Sequence, residues 1–228
     1  MGVRSAVRRH QDLLGDVVAV HHDRPGRGTV LGFISVWVAL SALTLINPGE
    51  TLMLSIAPAA GLFIIAVVIY VMLAGERLVV CERGVLVGSV APFLRPYVIR
   101  YDQIVVGSVV PISAKISRFS KQTGLSAMPT VRTAWWSRRG VCFAGPSAAE
   151  ARGSLGTSAP RAQAVGIPWL IGTRAPAEQA TADIARAAEA AGFTELARQT
   201  VAAPPRALSG HAEDNPAQLP GVIVPGRR

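Results

Sequence analysis

Six basic residues and two tryptophans occupy a stretch with no acidic residue between Asp102 and Glu150. They are Lys115, Arg118, Lys121, Arg132, Trp135, Trp136, Arg138 and Arg139. Guanidinium groups pair with phosphate or carboxylate, and indoles suit the boundary between water and an apolar phase. The stretch is therefore the candidate contact surface of the chain, facing anionic lipid or a protein partner. The plainer alternative is an ordinary basic surface with one packed tryptophan. In an extended strand, Trp135 and Trp136 would point to opposite sides, one to the core and one outward.

Nothing else in the sequence points to a reaction. There is no Gly-x-Ser-x-Gly elbow, phosphate loop or HExxH helix, and no catalytic residue or cofactor is expected. His21 and His22 are adjacent and diverge on a helix, so no metal site is expected. Cys81 and Cys142 sit in apolar stretches and read as buried thiols. Asp102, ahead of Ile104, reads as turn chemistry between strands. The net charge is +9. No zinc-finger spacing or aromatic RNA-binding motif accompanies it, so nucleic acid is not the expected partner. Arginine outnumbers lysine 21 to 2, a codon bias that suggests a GC-rich bacterial genome such as an actinobacterium's.

Two apolar runs, 29–46 and 52–74, flank Asn47-Pro48-Gly49-Glu50. At 1.5 Å per residue each is expected to cross a roughly 30 Å hydrocarbon layer as a helix. Arginines lie on both outer flanks and only Glu50 lies in the connection. The expectation is a two-pass plasma-membrane hairpin with both termini cytoplasmic. Residues 1–28 would form a cytoplasmic segment, with 3–21 either an amphipathic helix or a frayed, partly disordered tail. Pro58 should kink the second span, and small residues at four-residue spacing (Ser55 and Ala59, Ala57 and Gly61) suit helix packing. Neither run holds an ionisable group, so no conduit is expected.

After Gly75 the periodicity changes to that of strands: 77–82, 85–90, 96–100, 104–110, a hairpin of 131–137 with 141–144 across Arg138-Arg139-Gly140, and 167–173. Residues 111–129 and 145–166 read as irregular. A helix follows Pro176, with Ile184, Ala187, Ala188 and Ala191 on its buried face and Gly192-Phe193 as its cap. The tail, 201–228, reads as disordered.

Leu78-Val79-Val80-Cys81-Glu82-Arg83-Gly84-Val85-Leu86-Val87, Val98-Ile99-Arg100-Tyr101-Asp102-Gln103-Ile104 and Trp169-Leu170-Ile171-Gly172-Thr173-Arg174-Ala175-Pro176 together resemble segments of bacterial membrane-anchored pleckstrin-homology-like domains. The resemblance covers residues 76 to 193. It implies a transmembrane hairpin followed by a mainly-β PH-like sandwich or barrel, at 76–200, capped by a C-terminal α-helix. It also implies a non-enzymatic, membrane-anchored binding or scaffold module on the cytoplasmic face. Its partners would be the bilayer, anionic inner-leaflet lipid, a protein or a second copy. The alternatives are a structural subunit of a larger membrane complex, or an enzyme with an unrecognised site.

Overall fold

The computed structural model describes residues 7–46, 60–61, 63–68, 70, 75–89, 95–114, 116, 128–153 and 166–207. The chain divides into two compact units, Met1–Asp23 with Gly75–Arg228, and Arg24–Ala74.

The larger unit holds two sheets. β1 (Val17–His22), β2 (Glu76–Cys81), β3 (Gly84–Ser89) and β4 (Tyr97–Arg100) form an antiparallel meander in chain order. The second sheet contains β5 (Val110–Ala114), β6 (Val131–Arg132), β7 (Arg139–Gly145), β8 (Ile167–Thr173) and β9 (Arg206–Ala207), in the order β6-β8-β7-β5-β9. Among its described residues the unit's α-helices are α1 (Gln11–Leu14), α3 (Ala148–Gly153), α4 (Ala177–Ala190) and α5 (Thr194–Ala202). α2 (Arg27–Ile46) belongs to the smaller unit.

Side chains alternate across a strand, and β2 uses both faces. Leu78 and Val80 enter a core shared with Phe143 and Trp169 of the second sheet and Ile184 and Ala188 of α4. Val79 and Cys81 enter another cluster with Val7, Leu14, Leu86 and Val98. Two-sided burial explains the unbroken apolar runs of β2 and β3. Trp169 is fully buried and gives its indole N–H to the Pro146 carbonyl at 2.8 Å. α4 ends in a Schellman cap. Gly192 has φ 88°, Phe193 N–H donates to the Ala188 carbonyl at 2.8 Å, and Gly192 N–H donates to the Glu189 carbonyl at 3.0 Å.

Several expectations need correction. The region expected as one amphipathic helix or a frayed tail contains α1 and then β1. Gly15, at φ 73°, ends the helical turn, and the β-branched Val17, Val18 and Val20 run on as a strand beside β2. The strand expected at 104–110 starts only at Val110, because Gly107 takes φ 78° in a turn closed by Ser108 N–H to the Val105 carbonyl at 3.1 Å. The 131–137/141–144 hairpin is absent. β6 instead pairs parallel to β8, and β7 pairs antiparallel to β5 and β8. Gly140 supplies close strand approach rather than a turn, since a Cβ there would collide with the Ile171 carbonyl oxygen. The segment read as irregular holds α3, opened by Ser147 and Glu150 bonding each other's main chain. A second helix, α5, follows the cap at Gly192, and β9 lies within the segment read as disordered.

The largest correction concerns the apolar runs. Among the described residues no helix is long and apolar enough to cross a membrane. The two-pass hairpin, and the membrane location inferred from it, are therefore set aside. A crossing needs roughly 20 mostly apolar residues. α2 itself runs over Arg27–Ile46, 20 residues. The second run is described only at its helical residues 60, 61, 63–68 and 70. The connection 47–50 lies outside the described residues, as do Ser55, Ala57, Pro58 and Ala59. Within this unit Trp37 and Phe63 pack with ring centroids 5.0 Å apart.

Ile184 is fully buried where α4 meets the shared core. Ile184→Ala should leave a cavity and lower the unfolding free energy by about 2–5 kcal/mol. Urea unfolding followed by tryptophan fluorescence would measure it, and a loss below about 1 kcal/mol would contradict this placement of α4.

Candidate functional site

The structure separates the eight basic and aromatic candidates. Lys115, Arg118 and Lys121 lie outside the described residues. Arg132 is occupied internally. Its guanidinium donates to Glu76 Oε1 at 3.2 Å and to the Tyr97 hydroxyl at 2.7 Å, and lies 4.8 Å from the Tyr97 ring centroid. Arg152 approaches the same ring at 4.7 Å. Burial raises the Glu76 carboxyl above its ordinary value, and the charge and hydrogen bond of Arg132 oppose that rise. This is a structural pairing between β2, β4 and β6.

Trp135, Trp136, Arg138 and Arg139 remain together. They occupy a turn and the start of β7 rather than a single strand. Ser137 N–H donates to the Ala134 carbonyl at 2.9 Å, which places both tryptophans in the middle of the turn. Trp135 and Trp136 do not point to opposite faces. Their rings meet edge to face, with centroids 5.2 Å apart and planes at 71°. Trp135 is 56 % exposed. Trp136 is half-buried and gives its indole N–H to the Asp23 carbonyl at 3.2 Å. Arg138 and Arg139 are both exposed. Among the described residues neither forms a side-chain ion pair.

Asp23, at the end of β1, holds this turn in place, and sequence reasoning missed it. Its carboxylate is buried and accepts a short hydrogen bond from Ser137 Oγ, which itself accepts the Ala134 N–H at 2.7 Å. Gly172 of β8 makes room: a Cβ there would collide with Asp23 Oδ2 and lie 2.8 Å from Ser137 Oγ. The Asp23 pKa is raised, mainly by burial, against the lowering pull of Ser137, the Ala134 N–H and Arg174. The Asp23 signal is visible in sequence only as an acid after an apolar strand; its partner lies 114 residues away.

Several other titratable groups pair within the fold. His21 Nε2 lies 3.1 Å from Asp183 Oδ2, joining β1 to α4, and Arg186 pairs with the other Asp183 oxygen at 3.0 Å. Arg100 pairs with Asp102 at 2.8 Å. Both cysteines are buried free thiols, pushed up to about 12 mainly by burial. Among the described residues no group of three His, Cys, Asp or Glu side chains gathers as metal ligands would.

The Asp23 cluster sets two expected outcomes. A carboxyl whose folded pKa is raised contributes its stability fully below the ordinary value of 3.8, and loses it as pH rises through the folded value. Asp23→Asn keeps an acceptor for Ser137 and removes this titration. The stability of the wild type relative to Asp23→Asn should therefore fall as pH rises from 3.8, read as the difference in urea midpoints. A constant difference would contradict the raised value. Gly172→Ala should displace the turn and shift the Trp135 and Trp136 indole N–H resonances, at a cost of about 1–3 kcal/mol.

No family model, curated protein or solved structure matches this chain, so the use of the Trp–Arg turn has to be read from its own side chains.

Proposed function

We propose that the chain is a non-enzymatic binding module that holds an acidic protein segment against Trp135, Arg138 and Arg139. The observation that carries this reading is an exposed indole, braced edge to face by a half-buried one, beside two exposed arginines that lack ion pairs among the described residues. Tryptophan and arginine dominate the energetics of protein interfaces, and arginine grips carboxylates bidentately. The turn is fixed in advance by Asp23 and Ser137, so little conformational entropy is lost on binding.

Magnitude favours a protein segment over an anionic lipid surface. Each basic group near such a surface adds about 1 kcal/mol. With Arg132 committed to Glu76, the described turn offers two such groups, a weak hold without further contacts. A compact Trp–Arg–Arg surface suits a short acidic segment carrying an apolar or proline residue.

The test is titration of the full chain with a synthetic Glu/Asp-containing, proline-bearing peptide, alongside vesicles of anionic and of neutral lipid. Trp135→Ala should weaken peptide binding about thirtyfold, the size expected of a hot-spot residue. Arg138→Glu with Arg139→Glu should abolish it. If those variants leave peptide binding unchanged but release the protein from anionic vesicles, a lipid surface replaces the acidic segment as partner.

A further inference from the structure

The second sheet brings the end of the described chain to the Trp–Arg turn. β9 runs parallel to β5, with Ile112 beside Arg206 and Ala114 beside Ala207. β5 runs antiparallel to β7, with Ile112 beside Gly140. Following that register two residues further puts Ala114, and therefore Ala207, level with Arg138. The Ile116 N–H donating to the Arg138 carbonyl at 3.4 Å agrees with this. Strands in a sheet are about 4.8 Å apart. The chain thus leaves β9 two strands away, roughly 10 Å from the start of β7, and heads toward the end of the sheet where Arg138 and Arg139 stand.

Residues 208–228 lie outside the described residues. Their sequence carries Glu213 and Asp214, the only acidic residues after Glu195, followed by Pro216, Leu219 and Pro220. Glu213 lies six residues beyond Ala207, a reach of up to about 20 Å at 3.3–3.6 Å per residue. That comfortably spans the gap. Proline and leucine beside two acids match an exposed indole beside two arginines.

We propose that the Glu213–Pro220 segment is an internal occupant of the Trp135–Arg138–Arg139 surface. Glu213 and Asp214 meet the two guanidinium groups, and Pro216 or Pro220 meets the Trp135 ring. This rests on the reading of that surface as a site for acidic segments and adds a control: an external partner must displace the chain's own tail. A short tether gives an effective concentration on the order of mM. A contact with a millimolar intrinsic constant would then be occupied about half the time, which weakens apparent partner affinity about twofold.

The test uses the full-length protein with 15N-labelled tryptophan indoles, the Trp135 resonance being assigned with Trp135→Phe. Glu213→Arg with Asp214→Arg should move that resonance, as should Arg138→Glu with Arg139→Glu, and combining all four substitutions should restore it. Raising salt to about 1 M, where the Debye length is about 3 Å, should mimic the tail variant. The tail variant should also bind the acidic peptide at least about twofold tighter. A Trp135 resonance unmoved by the tail variant overturns the proposal, and so does a shift that disappears on dilution, since that contact would be between copies. If Trp135 is unmoved while the peptide still binds through Arg138 and Arg139, tail docking fails and the site stands. If the tail variant moves Trp135 but the peptide binds neither protein, the tail docks and the wider reading of the site fails.

Discussion

β2 and β3 are buried on both faces, and most of the larger unit depends on that constraint. A strand buried on both sides needs two covers. The second sheet and α4 supply one, through Phe143, Trp169 and Ile184. The N-terminal segment supplies the other, through Val7 and Leu14. β1 extends that cover, placing itself beside β2 and delivering Asp23 to the second sheet. The unit is therefore discontinuous in sequence, with Met1–Asp23 joining Gly75–Arg228. The hydrophobic term that drives this is on the order of 25 cal/mol per Å² of apolar area removed from water.

The Trp–Arg turn depends on the same arrangement. Were β1 elsewhere, the Trp136 indole and Ser137 hydroxyl would lose their acceptors on Asp23. A buried carboxylate is costly unless hydrogen-bonded, so the Asp23 cluster forms as a set or leaves a polar group unpaired. This couples the fold's coverage of β2 to the shape of the surface exposing Trp135. The same logic separates Arg132 from its neighbours in sequence. Glu76 and Tyr97 draw it inward, while Arg138 and Arg139, at the entry to β7, stay in water.

Several elements were legible because their signals are local. The short apolar strands either side of Glu82-Arg83 marked the β2–β3 hairpin, and Gly192-Phe193 marked the end of α4 through the left-handed conformation glycine tolerates. The Ser147-x-x-Glu150 box was equally local and would have located α3. The errors came where one local pattern fits two structures. Gly140 suits a turn or a tight strand crossing, and only the Ile171 carbonyl opposite it decides for the strand. The valines of 17–20 fit a helix face or an edge strand until β2 is beside them. The apolar runs had the composition of spans, but among the described residues no helix meets the length and apolarity of a crossing.

The sequence by itself determined the acid-free basic stretch, the exposed-or-buried ambiguity of its two tryptophans, the apolar strands β2 and β3 and the Gly192-Phe193 end of α4. All depend on residue type and near neighbours. Tertiary structure alone decided which arginines remain available, because Glu76 and Tyr97 lie 56 and 35 residues from Arg132. It also decided that Asp23 braces the turn from 114 residues away, and that β9 ends level with Arg138. Hydrogen bonds and charges act over a few ångströms, and folding alone sets which distant residues come within that range.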